Sequence, residues 1–259
     1  MIGAHQSMPT STIVRRQTGG FVEIVKTVLY AVLIAVVVRT VAFEPFNIPS
    51  GSMIPTLLVG DFLFVSKYSY GYSRYSLPLS PPVFSGRILG SLPKRGDVAV
   101  FKLPSDTSKN YIKRIVGLPG DHIQLRGGQL YINQELVPRV EDGNVIAVDE
   151  NERRTEERQY VETLPGDRKH LIAKTGDIGG MNDTQEYVVP PDHVFGMGDN
   201  RDNSLDSRFL DNGVGYIPIE NLVGRAEFVF FSVEPSAPWW QVWEWPGEIR
   251  WSRIGSGIR

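Results

Sequence analysis

Residues 120–132 read Gly-Asp-His-Ile-Gln-Leu-Arg-Gly-Gly-Gln-Leu-Tyr-Ile. Apolar Ile123 and Leu125 alternate with polar neighbours, and Leu130 and Ile132 do the same after two glycines. Period-two alternation marks a half-buried strand, because successive side chains leave opposite faces. Two glycines between two such runs read as a two-residue hairpin. The same pattern recurs outward from here. Short apolar or alternating runs stand at Phe62–Val65, Val98–Phe101, Tyr111–Val116, Val194–Met197 and Ala226–Val233. Gly60-Asp61, Gly96-Asp97 and Gly120-Asp121 punctuate them as turns. No strong helical pattern follows Phe46, where Pro45 and Pro49 stop a helix. The expectation is a mostly β, antiparallel architecture.

Ahead of the β region, Thr27 to Val38 reads TVLYAVLIAVVV without a charge. A bilayer core asks for about 20 apolar residues. Extending the run to 21–46 reaches that length and takes in Glu23, Lys26, Arg39 and Glu44. Lys26 and Arg39 stand near opposite ends, where long cationic chains snorkel to the interface. Arg15, Arg16 and Lys26 precede the run, which favours a cytoplasmic N-terminus. One transmembrane helix over 21–46 is expected, after a flexible cytoplasmic tail at 1–20. Two other readings stay open. One is a cleaved signal peptide, although no small-x-small cleavage site follows; the other is a buried core helix.

The chain has 259 residues, a net charge of −2, no Cys and four His. Nothing in that balance points to nucleic acid. Disulfides and thiolate chemistry are absent. His5, His122, His170 and His193 show no metal-ligand spacing, so neither metal nor cofactor is expected. Residues 68–96, rich in Tyr, Ser, Pro and Gly, read as a long exposed loop. The mixed-sign run at 139–169 reads as a solvated face or loop with no assigned function. Trp239, Trp240, Trp243 and Trp245, with Arg250 and Arg253 after them, suit either a membrane–water interface or packing on the β core.

Three segments carry chemistry. Pro49-Ser50-Gly51-Ser52-Met53-Ile54-Pro55 holds two serines around a glycine, stiffened by flanking prolines, just outside the apolar run. A nucleophile needs such fixed presentation, yet a Ser-Gly-Ser stretch alone is as readily a plain turn. Tyr111-Ile112-Lys113-Arg114-Ile115-Val116 offers a base. Lysine between apolar neighbours loses its proton more easily, because desolvation disfavours charge. The alternative is a lysine that snorkels to water. Gly198-Asp199-Asn200-Arg201-Asp202-Asn203-Ser204-Leu205-Asp206-Ser207-Arg208 packs short polar side chains, and Asp206 and Arg208 can pair. A calcium loop competes poorly, since Arg201 stands where an oxygen ligand belongs.

Together these segments resemble the type I signal peptidase family, serine/lysine endopeptidases of bacterial membranes. Pro49–Leu57 resembles its nucleophile motif, Tyr111–Asp121 its base motif, and Gly198–Arg208 its supporting loop, followed by Asn221–Ala226. The resemblance implies Ser52 as acylated nucleophile and Lys113 as general base. It implies Ser50 and the Ser52 N–H as oxyanion hole, Ser204 as a hydrogen-bond partner orienting Lys113, and Asp199, Asp206 and Arg208 as supports. It implies a β-rich catalytic core at 47–124 and 190–259 with a smaller β insert at 125–189. The implied activity removes signal peptides from exported preproteins after small residues at −1 and −3. Phe46, Ile48, Pro49, Met53, Leu57, Val100, Tyr111 and Ile112 are then the expected pocket walls. The implied location is the inner (plasma) membrane, with the catalytic part outside the cytoplasm. Implied partners are signal peptides, the lipid bilayer and the protein-translocation machinery. Two other readings compete: a membrane-tethered β-rich binding or scaffold protein, and a Ser-His-Asp hydrolase using His193 and Asp199.

Overall fold

The computed structural model describes residues 20–148, 153–178, 180–234 and 245–259. The expected tail, and Trp239, Trp240 and Trp243, lie outside them. The chain separates into two units, Met1–Val37 and Val38–Arg259. In the first, helix α1 begins; it runs Gly20–Val41 and buries none of its residues. That removes the core-helix reading. Its 22 residues span about 33 Å at 1.5 Å each, enough to cross a bilayer core. The helix stops earlier than expected: Phe43–Asn47 forms strand β1. Pro45 fits there because β1 ends its sheet, where a missing N–H breaks no ladder.

The strands then follow in order: β2 Asp61–Ser66, β3 Val98–Leu103, β4 Asp106–Gly117, β5 His122–Arg126, β6 Gln129–Ile132, β7 Glu135–Leu136 and β8 Arg139–Val148. After them come β9 Arg154–Leu164, β10 Arg168–Lys174, β11 Tyr187–Val188, β12 His193–Met197, β13 Ile217–Pro218 and β14 Leu222–Ser232. Seven pair in the order β1-β2-β14-β3-β4-β12-β13; β11-β5-β6-β7 and β10-β9-β8 make two smaller sheets. Every pairing is antiparallel.

The Gly-Asp signals build one turn three times. Gly60, Gly96 and Gly120 have φ of 89°, 90° and 86°, values that favour glycine. Each following aspartate accepts the backbone N–H three residues earlier: Leu58 to Asp61 (2.8 Å), Lys94 to Asp97 (2.9 Å) and Leu118 to Asp121 (2.6 Å). Gly127-Gly128 joins β5 to β6, with Arg126 opposite Gln129.

The smaller sheets occupy the excursion between β4 and β12, which pair again where Phe195 meets Gly117. The expected 124/125 boundary falls inside β5. Ile123, Leu125, Leu130 and Leu164 of the excursion share one core with Val116, Phe195 and Met197 of the main sheet. The charged run at 139–169 is not a loop. Its described residues form β8, β9 and the first two residues of β10, with Glu157 and Glu162 buried. Nor is 68–96 simply exposed. Tyr70 and Tyr75 are buried, and Arg87 donates to the carbonyls of Tyr70, Gly71, Ile219 and Leu222. At the C-terminus, Arg250 pairs with Glu234 (2.8 Å), and Arg253 pairs with buried Asp61 (2.5 Å). Those arginines tie the terminus to the sheet, so they are not free to face an interface.

Candidate active site

Ser52 sits in a single 3-10 turn, Gly51–Met53, just past β1. Such a turn leaves its first N–H groups without an internal acceptor. Lys113 lies on β4, opposite Ala99 of β3. On its other edge β4 meets β12 only from Arg114 onward, so among the described residues Asn110–Lys113 has no strand partner there. The two segments converge. Lys113 Nζ lies 2.7 Å from Ser52 Oγ, and both side chains are buried.

Burial lowers the Lys113 amine to about 8; Asp206 and Asp199 push it back up, and Arg208 pushes it down. Desolvation therefore wins, as expected for a lysine without a direct ion pair. The amine reaches its neutral form near physiological pH.

The loop after β12 holds this pair in place. Asn200 N–H donates to the Ser52 carbonyl at 3.1 Å. Asp199 takes a two-pronged contact from Arg114 (Nε 2.7 Å, Nη2 2.6 Å) and a hydrogen bond from Thr56 (2.5 Å). Burial alone would raise the Asp199 carboxyl, but Arg114 holds it below the ordinary value. Asp206 binds Arg208 through both oxygens (2.8 Å each) and accepts Gly198 N–H at 2.9 Å. Arg208 reaches on to the Arg201 carbonyl (2.6 Å), and Arg201 pairs with buried Glu162. One charge network thus runs from the nucleophile's own backbone into β9.

Gly198 is the tightest point. A Cβ there would fall 2.2 Å from Ser204 Oγ and 2.5 Å from the Ser52 carbonyl oxygen. Only glycine lets the loop approach so closely. The hydrogen bond expected from Ser204 to Lys113 is not formed: Ser204 Oγ packs against Gly198 and has no hydrogen-bond partner.

A cleft of about 430 Å³ opens over the pair, lined by Pro49, Ser50, Tyr111, Ile112, Asn110 and the Asn203–Leu205 stretch. Of the residues expected as pocket walls, Pro49, Tyr111 and Ile112 line this cleft. Ile48, Met53, Leu57 and Val100 do not; they are buried in the core cluster beneath Ile112. Val100 lies on β3, and Ile48, Met53 and Leu57 lie outside the strands, but all four pack into that one cluster. Phe46 lines the adjoining cavity. Ser50 stands half-buried on the rim, in extended backbone (φ −134°, ψ 155°) with no capping bond. His193 bonds the Pro191 carbonyl (2.8 Å), while both Asp199 oxygens are held by Arg114 and Thr56. Among the described residues, no hydrogen-bonded His-Asp couple reaches Ser52. Arg114, Thr56, Arg201 and Glu162 had no separate signal in the sequence. Only Arg114's place beside Lys113, hence on the opposite face of one strand, hinted at its inward direction.

A family model described as signal peptidase, peptidase S26, matches residues 21–231. This chain belongs to that family. The signal peptidase I of Rickettsia typhi is 41% identical over 219 residues, covering 82% of this chain and 80% of that one. That of Rickettsia massiliae is 40% identical over 239 residues, covering 89% and 84%. A crystal structure of a signal peptidase I from Enterococcus faecalis covers 52% of this chain and 97% of that one. It is 23% identical, with a TM-score of 0.31, too low to carry the assignment. Signal peptidase membership makes the chain a serine endopeptidase and removes the scaffold reading. Together with α1, it makes the enzyme membrane-anchored.

Proposed function

We propose that this enzyme removes signal peptides from exported preproteins, using Ser52 as nucleophile and Lys113 as its only base. The 2.7 Å contact between a buried amine and a buried hydroxyl is the observation that supports this reading. Neutral Lys113 takes the Ser52 proton as Oγ attacks the scissile carbonyl. The resulting ammonium then protonates the departing amine, leaving an acyl-enzyme. Lys113 next takes a proton from water as the water oxygen attacks the acyl carbon, then returns that proton to Ser52 Oγ as the signal peptide leaves. The Ser52 N–H and the Ser50 hydroxyl would stabilise the oxyanion, at about 3 kcal/mol per donor.

The substrate lies extended against the free edge at Asn110–Lys113, where main-chain hydrogen bonds hold it without reading most side chains. The narrow walls of Pro49, Tyr111 and Ile112 suit small residues at −1 and −3. Arg15 and Arg16 ahead of α1, with Lys26 in its N-terminal part, support a cytoplasmic N-terminus in the plasma membrane, with Ser52 on the outer side. Delivery of preproteins by the translocation machinery belongs to the same proposal.

Processing of a preprotein in detergent tests the mechanism. Ser52→Ala and Lys113→Ala should each abolish it while circular dichroism stays native. Cleavage by Lys113→Ala within tenfold of the parent enzyme would rule out the lysine as base.

A further inference from the structure

The cleft over Ser52 does not end at Asn110. That residue also lines a second cavity of about 470 Å³. Both are walled by β4 and by the stretch that runs from β1 to the Gly51–Met53 turn. Pro49–Ser52 and Asn110–Lys113 flank the first, while Glu44, Phe46, Thr107 and Ser108 flank the second. One groove therefore runs between β1 and β4 with Ser52 at one end. Asn110 stands three residues before Lys113 along β4 and Thr107 six, so the far compartment extends from roughly 10 to roughly 20 Å along the strand from Lys113.

The far compartment differs in charge from the near one. Arg39, Lys67, Arg74 and Lys102 line it, with Glu44 as the carboxylate among them. Glu44 is already engaged by Lys67 (2.8 Å) and Arg39 (2.7 Å). Arg74 donates to the Tyr75 hydroxyl (2.5 Å) and lies over its ring, and its one carboxylate contact among the described residues is a loose one with half-exposed Glu220, at 3.9 Å. Lys102 makes no ion pair among the described residues, and burial lowers its amine, with Glu44 opposing. Arg39 and Thr40 come from the last turn of the apolar helix. A signal peptide's apolar segment precedes its cleavage site and sits in the bilayer. The compartment walled by that last turn therefore suits upstream residues.

We propose that this far compartment is a charge-selective subsite, taking an acidic side chain about five to six residues upstream of the bond cleaved. This rests on Ser52 being the nucleophile. Arg74 and Lys102 supply the selectivity; Lys67 and Arg39 are committed to Glu44. A basic residue at that point of the substrate meets like charge in a partly desolvated groove, which disfavours it more than an open surface would.

The test uses the full chain in zwitterionic detergent at low salt, with three peptides identical except for Asp, Gln or Lys at −5 or −6. The expected order of kcat/KM is Asp, then Gln, then Lys, with about five- to tenfold between the extremes. High salt should compress it. Each enzyme is compared with itself across the series, so impaired folding lowers all three values together. Arg74→Glu with Lys102→Glu should invert the order, and Arg74→Gln with Lys102→Gln should flatten it if the reversal does not fold. An order that stays flat in the parent enzyme, or survives both pairs of substitutions, overturns the subsite. So does a result in which the substitutions change only binding to phosphatidylglycerol vesicles, which would make the cavity a lipid-headgroup site. Failure of the underlying mechanism looks different: Ser52→Ala would then still cleave the Gln peptide.

Discussion

Lys113 Nζ and Ser52 Oγ stand 2.7 Å apart although 61 residues separate them in the chain. A 3-10 turn presents the hydroxyl, and a strand flanked by apolar neighbours presents the amine. The amine sits near 8 because it is buried. An ammonium cannot accept the serine proton, so activity needs the neutral form. The group's pKa is lowered on folding, and its neutral fraction grows as pH rises through about 8. The expected kcat/KM rises about tenfold per unit at lower pH and levels off above about 8. A peptide assay from pH 5.5 to 10 reads this directly. A profile flat from pH 6 to 9 would show that Lys113 is not the base.

His193→Ala should keep most of the activity. The imidazole is tied to the Pro191 carbonyl, and Asp199, the partner a triad would use, is committed to Arg114 and Thr56. Preprotein cleavage by the folded variant checks this. A loss as deep as that of Ser52→Ala would return the histidine to the mechanism.

Much of this is legible in the sequence. Alternation and Gly-Asp turns announced the strands, because both follow from local backbone sterics. Ser52 and Lys113 stood out through their surroundings, a stiff turn beyond an apolar run and a lysine amid β-formers. What stayed hidden is long-range. Glu162 sits in a run of mixed charges that reads as solvated; only its pairing with Arg201, 39 residues away, accounts for its burial. Arg114 and Thr56 are likewise defined by Asp199, 85 and 143 residues distant. The wall assignments failed for Ile48, Met53, Leu57 and Val100 because a motif identifies residues near a site, not the face each one presents.

The Arg114–Asp199 pair is buried at both ends. Removing one partner leaves an uncompensated charge in the interior, so Arg114→Met should cost about 3–5 kcal/mol in urea unfolding. Adding Asp199→Asn should recover more than half, because the stranded carboxylate is gone. Asp199→Asn alone carries a second signature. Asp199 favours the Lys113 ammonium, so its neutralisation should move the rising limb of the pH profile to lower pH. A limb shifted to higher pH would show that this carboxylate does not act on the amine.

Gly198 separates support of the site from support of the fold. A methyl there meets Ser204 Oγ at 2.2 Å and the Ser52 carbonyl oxygen at 2.5 Å. The Ser204 hydroxyl can rotate away, but Ser204 Cβ, also 2.5 Å from that methyl, and the Ser52 carbonyl are fixed to the backbone, so the chain has to shift at both. That shift displaces the turn carrying the nucleophile from Lys113. Gly198→Ala should therefore lower kcat by about 10²-fold, the scale of a misplacement near 1 Å, with a loss of about 1–3 kcal/mol in stability. Gly198→Ala combined with Ser204→Gly removes the side-chain clash and leaves the backbone one. If the nucleophile's position is what matters, the double variant stays as slow as the single one while regaining part of its stability. Recovery of kcat by the double variant would place the clash at Ser204, and the turn at Ser52 would then owe nothing to Gly198.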